Sequence, residues 1–447
     1  MVRRAKMNPF NTLPTKLNVH GTGELPPAKN SLGTVTYESL ENIIKRYLLI
    51  EDKGLIKIIV ACVISHRLPV DPVWLLIVAG PGGGKTELLS GLFGLDNVWP
   101  LSDLTSQTFM SGDKTAPKGS LLHRLPPEVL IIMKDFTTVL EMNSDKQNTI
   151  LAQLREIYDG TYGKEFGNGE SKAWQGKMGF IAGVTPIIDR KQPVRQALGE
   201  RFIQYRPVAA DSLEVTKRAM NNSGQEKRMR EDIKAAFSDY FKGLKLPQTL
   251  PEVPEEYQDA IMHLAVFCAK ARSPVIRDTY HTREIEDIPE PEHPTRLVKQ
   301  LLNLMISLAI ITRKFTEADY KIIAKVGMDS LPGTRRKIIE FLSKQDTPQT
   351  ISDIANAVGL LPNTSFRRQL EDMCALKVIE GDSSEMSLTY KLSFEIKTLL
   401  TGMELLTKPL GSPEEDNKSD SEQLGLLGHE DATLPEKYQG SMPMNIS

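Results

Sequence analysis

The stretch WLLIVAGPGGGKTELLSGLF, residues 74–93, decides the fold. Its first six residues are an unbroken apolar run, the pattern of a strand covered on both faces. Gly80-Pro81-Gly82-Gly83-Gly84 then breaks the run, and the segment after Lys85 resumes with helical spacing. Strand, glycine-rich loop and helix, in that order, make a phosphate-binding loop. Glycines let the backbone curl until successive N–H groups converge on an anion, and the following helix adds its positive end. Lys85 would reach the outer phosphates and Thr86 would contact Mg²⁺. Gly80, Pro81, Gly82, Gly83, Gly84, Lys85, Thr86 and Glu87 are therefore the expected nucleotide contacts, with ATP and Mg²⁺ as cofactors. Ala79 stands where the usual pattern opens on glycine.

Further apolar runs flank this segment. VLIIM at 129–133 and MGFIAGV at 178–184 read as central strands of the same parallel sheet, and FIQYRPV at 202–208 as an edge-like fourth. The fold class is α/β. A phosphate loop needs an acid at the end of a neighbouring strand, and VLIIM runs into Lys134-Asp135-Phe136, which makes Asp135 the candidate for Mg²⁺ or for the attacking water. The usual pattern ends in two acids. Here Lys134 or Phe136 occupies the other place, with Asp103 and Glu141 as weaker substitutes. The third run ends in Thr185-Pro186, and Thr185 can orient water beside the γ-phosphate or simply start a turn.

Length and composition set outer bounds. A chain of 447 residues exceeds one compact core. Lys+Arg 55 against Asp+Glu 57 gives a net charge of -2, so nucleic acid would have to be met by a local patch rather than a global field. The three cysteines, Cys62, Cys268 and Cys374, lie far apart without metal-like spacing, which suits buried thiols in a reducing cytoplasm. No run approaches the ~20 apolar residues of a membrane span. Residues 1–36 read as a mobile arm, 37–210 as the ATPase core and 211–332 as a helical lid with helices at Gln225–Leu244, Pro254–Arg272 and Pro294–Ile311. A polar, Pro-rich loop is expected over 273–293. Residues 333–402 form a further compact unit, and 403–447 a disordered tail.

The order of these motifs resembles the AAA+ ring-forming ATPases, and within them the clade of the minichromosome maintenance helicases. Asp135-Phe136, Thr185-Pro186 and Arg201-Phe202 match that clade's acid, sensor and arginine-finger positions over roughly residues 37–326. The resemblance implies that Arg201 reaches the γ-phosphate held by a neighbouring subunit, with Arg195 as fallback, and that Arg296 takes the lid's second sensor position. It also implies a homo-oligomer, as a ring or partial ring. A similar layout occurs in ATPases of phages and mobile elements.

Asn168-Gly169 signals a two-residue hairpin whose turn positions both take positive φ. Such a hairpin resembles the insertion that the clade aims into its central channel. Lys164 and Lys172 would then meet phosphates and Trp174 a base; alternatively Trp174 packs at the hairpin base and the lysines face water. At the other end of the chain, helices at 335–346 and 350–358, a third after Pro362 and a hairpin resemble a winged helix-turn-helix. Arg367 and Arg368 lie on the third helix, which in that fold enters the major groove. Glu371 and Asp372 accompany them. The expectation is an ATP-hydrolysing motor or switch acting on DNA, a helicase or helicase-loader-like replication protein of a phage or mobile element. Two alternatives stand beside it, an ATP-regulated DNA-binding transcription regulator and a protein-remodelling ATPase.

Overall fold

The computed structural model describes residues 35–112, 120–190, 201–278, 283–382 and 388–403. Two helices come first, α1 (Tyr37–Tyr47) and α2 (Leu55–Arg67), broken at Gly54 as the pattern predicts. Gly54 is required for space, because a Cβ there would stand 2.2 Å from the Tyr205 hydroxyl. All of α2 except Lys57 and Arg67 is buried, the place for a helix that is apolar on every side.

Seven strands follow: β1 (Trp74–Val78), β2 (Val98–Leu101), β3 (Glu128–Met133), β4 (Thr161–Glu165), β5 (Ser171–Gln175), β6 (Lys177–Val184) and β7 (Phe202–Tyr205). Five of them form one parallel sheet in the order β2-β3-β6-β1-β7. Helices α3 (Lys85–Ser90), α4 (Thr137–Leu140) and α5 (Ser144–Tyr158) connect the strands. Alternation splits the core in two. Leu75, Ile77, Leu130 and Ile132 join the α2 side, while Trp74, Leu76, Val129 and Ile131 pack with Ile150 and Leu154 of α5. The runs are continuously apolar because both faces are covered. β7 is an edge, as expected. The other edge, β2, has no counterpart in the sequence reading: it is four residues long and carries Pro100, which only an edge tolerates.

β4 and β5 pair on their own, but not through the expected two-residue turn. The Gly169 amide donates to the Phe166 carbonyl and the Phe166 amide to the Glu170 carbonyl, both at 2.9 Å, which closes a three-residue loop. Only Gly169 (φ 81°) takes a positive φ, and Asn168 does not. The Asn168 side chain instead accepts the Glu170 amide at 3.0 Å. One left-handed glycine suffices for the bulged loop.

Helices α6 (Ser212–Asn221), α7 (Glu226–Gly243), α8 (Glu255–Arg272), α9 (Thr295–Thr312) and α10 (Glu317–Asp329) come next, three of them within a residue of the expected bounds. The Pro-rich segment between α8 and α9 is not all loop. It holds two short antiparallel strands, β8 (Ile276–Arg277) and β9 (Ile285–Asp287). The 18 residues of α9, at hydropathy 1.3, have the length and composition of a membrane span. Here Leu297, Leu301, Leu304 and Leu308 are fully buried in the protein core.

The chain continues with α11 (Gly333–Leu342), β10 (Gln349–Thr350), α12 (Ile351–Val358), α13 (Thr364–Ala375), β11 (Ile379–Asp382), β12 (Thr389–Leu392) and α14 (Phe394–Gly402). Its three strands form a sheet in the order β10-β12-β11. Thr350 and Asp353 build a capping box on α12, which ends at left-handed Gly359 (φ 73°). The passage from α10 into α11 is buried: Asp329 and Leu331 are fully covered and Ser330 nearly so. Asp329 accepts the Arg206 amide at 2.7 Å and Lys325 at 2.8 Å. Asp189, in the turn after β6, takes both guanidinium ends of Arg206 at 2.8 and 2.9 Å and the Gly333 amide at 3.2 Å.

Candidate functional site

The glycine-rich loop leaves the carboxyl end of β1, the second strand from its edge, and enters α3. Gly82 (φ 79°) and Gly84 (φ 72°) are left-handed, a region that residues with a Cβ enter only at a cost. The Lys85 ammonium turns back over the loop, donating to the Gly80 carbonyl at 2.7 Å and to the Ala79 carbonyl. Burial lowers its pKa, and the Asp135 charge partly restores it. Pro81, Gly82, Gly83 and Thr86 are exposed. Glu87 is held from α7, where Arg230 donates through Nε at 2.8 Å and Nη2 at 2.7 Å. The Arg230 hydrogen bond holds the Glu87 carboxyl below its usual range.

Two neighbouring strand ends complete this edge. Asp135 follows β3, and its carboxylate accepts the Thr137 amide at 2.9 Å. Thr137 is the link to β6: its hydroxyl donates to Thr185 Oγ1 at 3.3 Å and accepts the Thr185 amide at 3.1 Å. The Ala79 amide donates to the Val184 carbonyl at 3.1 Å, which joins the loop to the same strand end. Phe136 is fully buried against Phe180 and Phe202, while Lys134 lies over the Phe93 ring at 5.3 Å. Asp135 is therefore the acid that this strand end presents. Asp103 lies past β2, with β3 and β6 between it and β1, and its carboxylate accepts the Leu104 amide at 2.8 Å. Glu141 is the exposed cap of α4. No group of three His, Cys, Asp or Glu side chains suited to a metal occurs among the described residues. Thr86 with a single carboxylate fits an ion held mainly by nucleotide phosphates and water.

Arg201 and Arg296 are elsewhere. Phe202 pairs with Trp74 at the amino end of β1, so Arg201 is separated from the loop by the strand's length, about 16 Å at ~3.3 Å per residue. Arg201 donates to Asp159 at 2.8 Å, and Arg296 lies 3.8 Å from the other oxygen of that carboxylate. Both guanidiniums cover the Tyr158 ring, at 5.7 and 5.5 Å. Arg195 lies outside the described residues.

In the β4–β5 hairpin, Trp174 is 8% exposed and belongs to the core on the α5 side. It packs at the hairpin base. Lys172 donates to the Ser111 carbonyl at 2.7 Å, and Asn168 to the Gly112 carbonyl at 2.9 Å. Lys164 lies over Phe166 at 5.3 Å. Cys62 and Cys268 are buried, and burial pushes both thiols up, Cys268 to about 12.

On α13, Arg367 is exposed and Arg368 half-buried. Asn363 caps the helix by accepting the Phe366 amide at 3.0 Å. The acids beside them pair with the segment between α8 and α9, Asp372 buried and Glu371 exposed. Arg277 of β8 donates to Asp372 at 2.7 Å and to Glu371 at 3.0 Å, and its Nη2 also reaches the Arg368 carbonyl at 3.1 Å. Buried Arg335 stands 3.9 Å from Asp372. The sequence reading contained no role for Arg277. These three partners lie more than 90 residues along the chain, beyond the reach of any local pattern.

No protein-family model and no curated protein matches the chain. Among solved structures, the apo C-terminal region of NrS-1 is similar at 12% identity and a TM-score of 0.25, over 63% of this chain and 68% of that one. A second structure of that region, residues 305–718, gives 11% identity and a TM-score of 0.23, over 80% and 76%.

Proposed function

We propose that this chain is an ATPase of AAA+ type that works on DNA as a homo-oligomer, with a winged helix at its C-terminal end. The observation that carries the reading is the edge built by β1, β3 and β6. A loop with two left-handed glycines, a lysine folded over it, one carboxylate and one hydroxyl all sit at carboxyl ends of adjacent strands, which is where open α/β sheets bind ligands. Loop amides and Lys85 would hold the phosphates of ATP. Thr86 and Asp135 would hold Mg²⁺, which when bound neutralises phosphate charge. Asp135, bridged through Thr137 to Thr185, would orient the attacking water.

Arg201 and Arg296 lie at the opposite edge, too far to reach the same chain's loop. They suit a phosphate presented by a second copy, which supports an assembly with shared sites. For the C-terminal unit, three helices and a three-stranded sheet support a winged helix, and with Glu371 and Asp372 engaged by Arg277, Arg367 is an exposed cation on α13 with no ion pair among the described residues. Duplex DNA is the partner that fits.

The test is ATP hydrolysis by the full chain with and without single- and double-stranded DNA, for wild type, Lys85→Ala and Arg201→Ala. The reading expects DNA-stimulated turnover that both substitutions abolish. Turnover indifferent to Lys85→Ala would refute the site. Tight, sequence-selective duplex binding with little turnover would favour the transcription regulator, and indifference to all DNA a protein-remodelling ATPase.

A further inference from the structure

The carboxyl end of α5 brings two arginines from distant parts of the chain onto one acid. Arg201 enters from the start of β7 and Arg296 from the first turn of α9, and both meet the Asp159 carboxylate, at 2.8 and 3.8 Å. Two cations share one anion, so the cluster keeps a net positive charge. The floor beneath them is fixed. The Tyr158 ring, with both guanidiniums over it, is held edge-on by Trp74 at 5.1 Å between centroids. Gln300 donates to the Tyr158 hydroxyl at 3.1 Å and to the Arg201 carbonyl at 2.9 Å. Exposure is graded: the side chain of Arg201 is 15% exposed, that of Arg296 36% and that of Asp159 47%. Arg201 also lines an open cleft of about 760 Å³ together with Arg155, Glu156 and Lys164. An incoming anion thus has room and further cations to meet.

We infer that Asp159 is a positioning residue that presents Arg201 and Arg296 as one unit to the triphosphate bound by a second copy of the chain. The inference rests on the proposed function and deepens it. Without the carboxylate, two guanidiniums above one ring repel each other, and each long side chain regains rotamers that it must lose again to meet a phosphate. With it, both are held above a fixed aromatic plane. A phosphate group offers more oxygen acceptors than one carboxylate and can take over both cations without moving the floor. Asp159 itself touches no reacting atom.

Full-length Asp159→Asn, Asp159→Glu, Arg201→Ala and the Asp159→Asn/Arg201→Ala double variant, all checked for wild-type melting, separate the possibilities. The readouts are ATP affinity and kcat at saturating ATP. Arg201→Ala should lower kcat by about 10³-fold, the lower end for such arginines. Asp159→Asn should lower it by about 10²-fold, the cost of an ångström-scale misplacement, with ATP affinity unchanged. Asp159→Glu should recover most of the loss, and the double variant should be no slower than Arg201→Ala alone. If Arg201→Ala turns over normally, the shared-site reading fails and this inference with it. If Arg201→Ala is inactive but Asp159→Asn is normal, or if the two losses multiply, only the role of Asp159 is overturned.

Discussion

The glycine-rich loop invites a perturbation whose sign changes from one glycine to the next. Gly82 and Gly84 have φ of 79° and 72°, and a Cβ on either would meet nothing within 4 Å. Alanine there costs only the backbone strain of the left-handed region, about 1–2 kcal/mol. Gly80 and Gly83 are not in that region. A Cβ would meet nothing at Gly80 and at Gly83 only the Gly80 carbonyl at 3.6 Å, an ordinary contact. Alanine at these two should stabilise the protein by about 0.4–1 kcal/mol, because the unfolded chain loses freedom that the folded loop never used. The assay is chemical denaturation of four single variants without nucleotide, followed by ATP titration. Strain already present in the free loop cancels from binding, so ATP affinity should fall, by at most roughly 30-fold, only to the extent that the free variant loop relaxes out of the left-handed region and loses that stability cost. If Gly83→Ala destabilises as much as Gly84→Ala without ligand, the loop's geometry has been misread.

Two further outcomes follow from charges in the interior. His66 is buried, and burial, with smaller contributions from Lys177 and Arg67, lowers its pKa from 6.5 to about 3. The unfolded chain therefore takes up this proton first, and stability falls as pH drops from 6.5 towards 3. The slope is at most about 1.4 kcal/mol per pH unit, and denaturation of His66→Gln across that window should be correspondingly flatter. Arg277→Ala breaks the 2.7 Å pair to buried Asp372 and frees Glu371. It should cost about 3 kcal/mol and weaken duplex binding in a filter or anisotropy assay, whereas Glu371→Gln should strengthen it; unchanged affinity in both would remove α13 from the DNA-binding face.

The features legible in the sequence are those with local causes. WLLIV, VLIIM and MGFIAGV advertise their strands because a parallel sheet covered on both faces needs every residue apolar. Thr350 and Gly359 mark helix ends through a capping box and a left-handed turn, which act over a few residues. Features set by tertiary partners were hidden. Four residues of β2 contain Pro100 and become a strand only because β3 offers a free edge. Asn168-Gly169 fits more than one turn, and the Asn168 side-chain bonds to Glu170 and Gly112 accompany the bulged loop. Trp174 carries an aromatic ring that either base stacking or core packing would use, and its burial follows from the apolar cluster it shares with Ile150, Leu154 and Ile157 of α5. Nothing near Asp159 in sequence announces two arginines arriving from residues 201 and 296.

The junction at Asp329–Gly333 has a mechanical consequence. Because Asp329, Ser330 and Leu331 are buried, Asp329 is pinned by Arg206 and Lys325, and Gly333 is pinned by Asp189, it is a weld rather than a tether. Asp189 stands four residues after Thr185, in the turn that leaves the phosphate edge. If α13 holds DNA as proposed, that DNA is held at a set bearing to this edge, and a shift of the β6 end would reach it through Asp189 and Gly333. The unit would then work as a lever, with its fulcrum inside the protein.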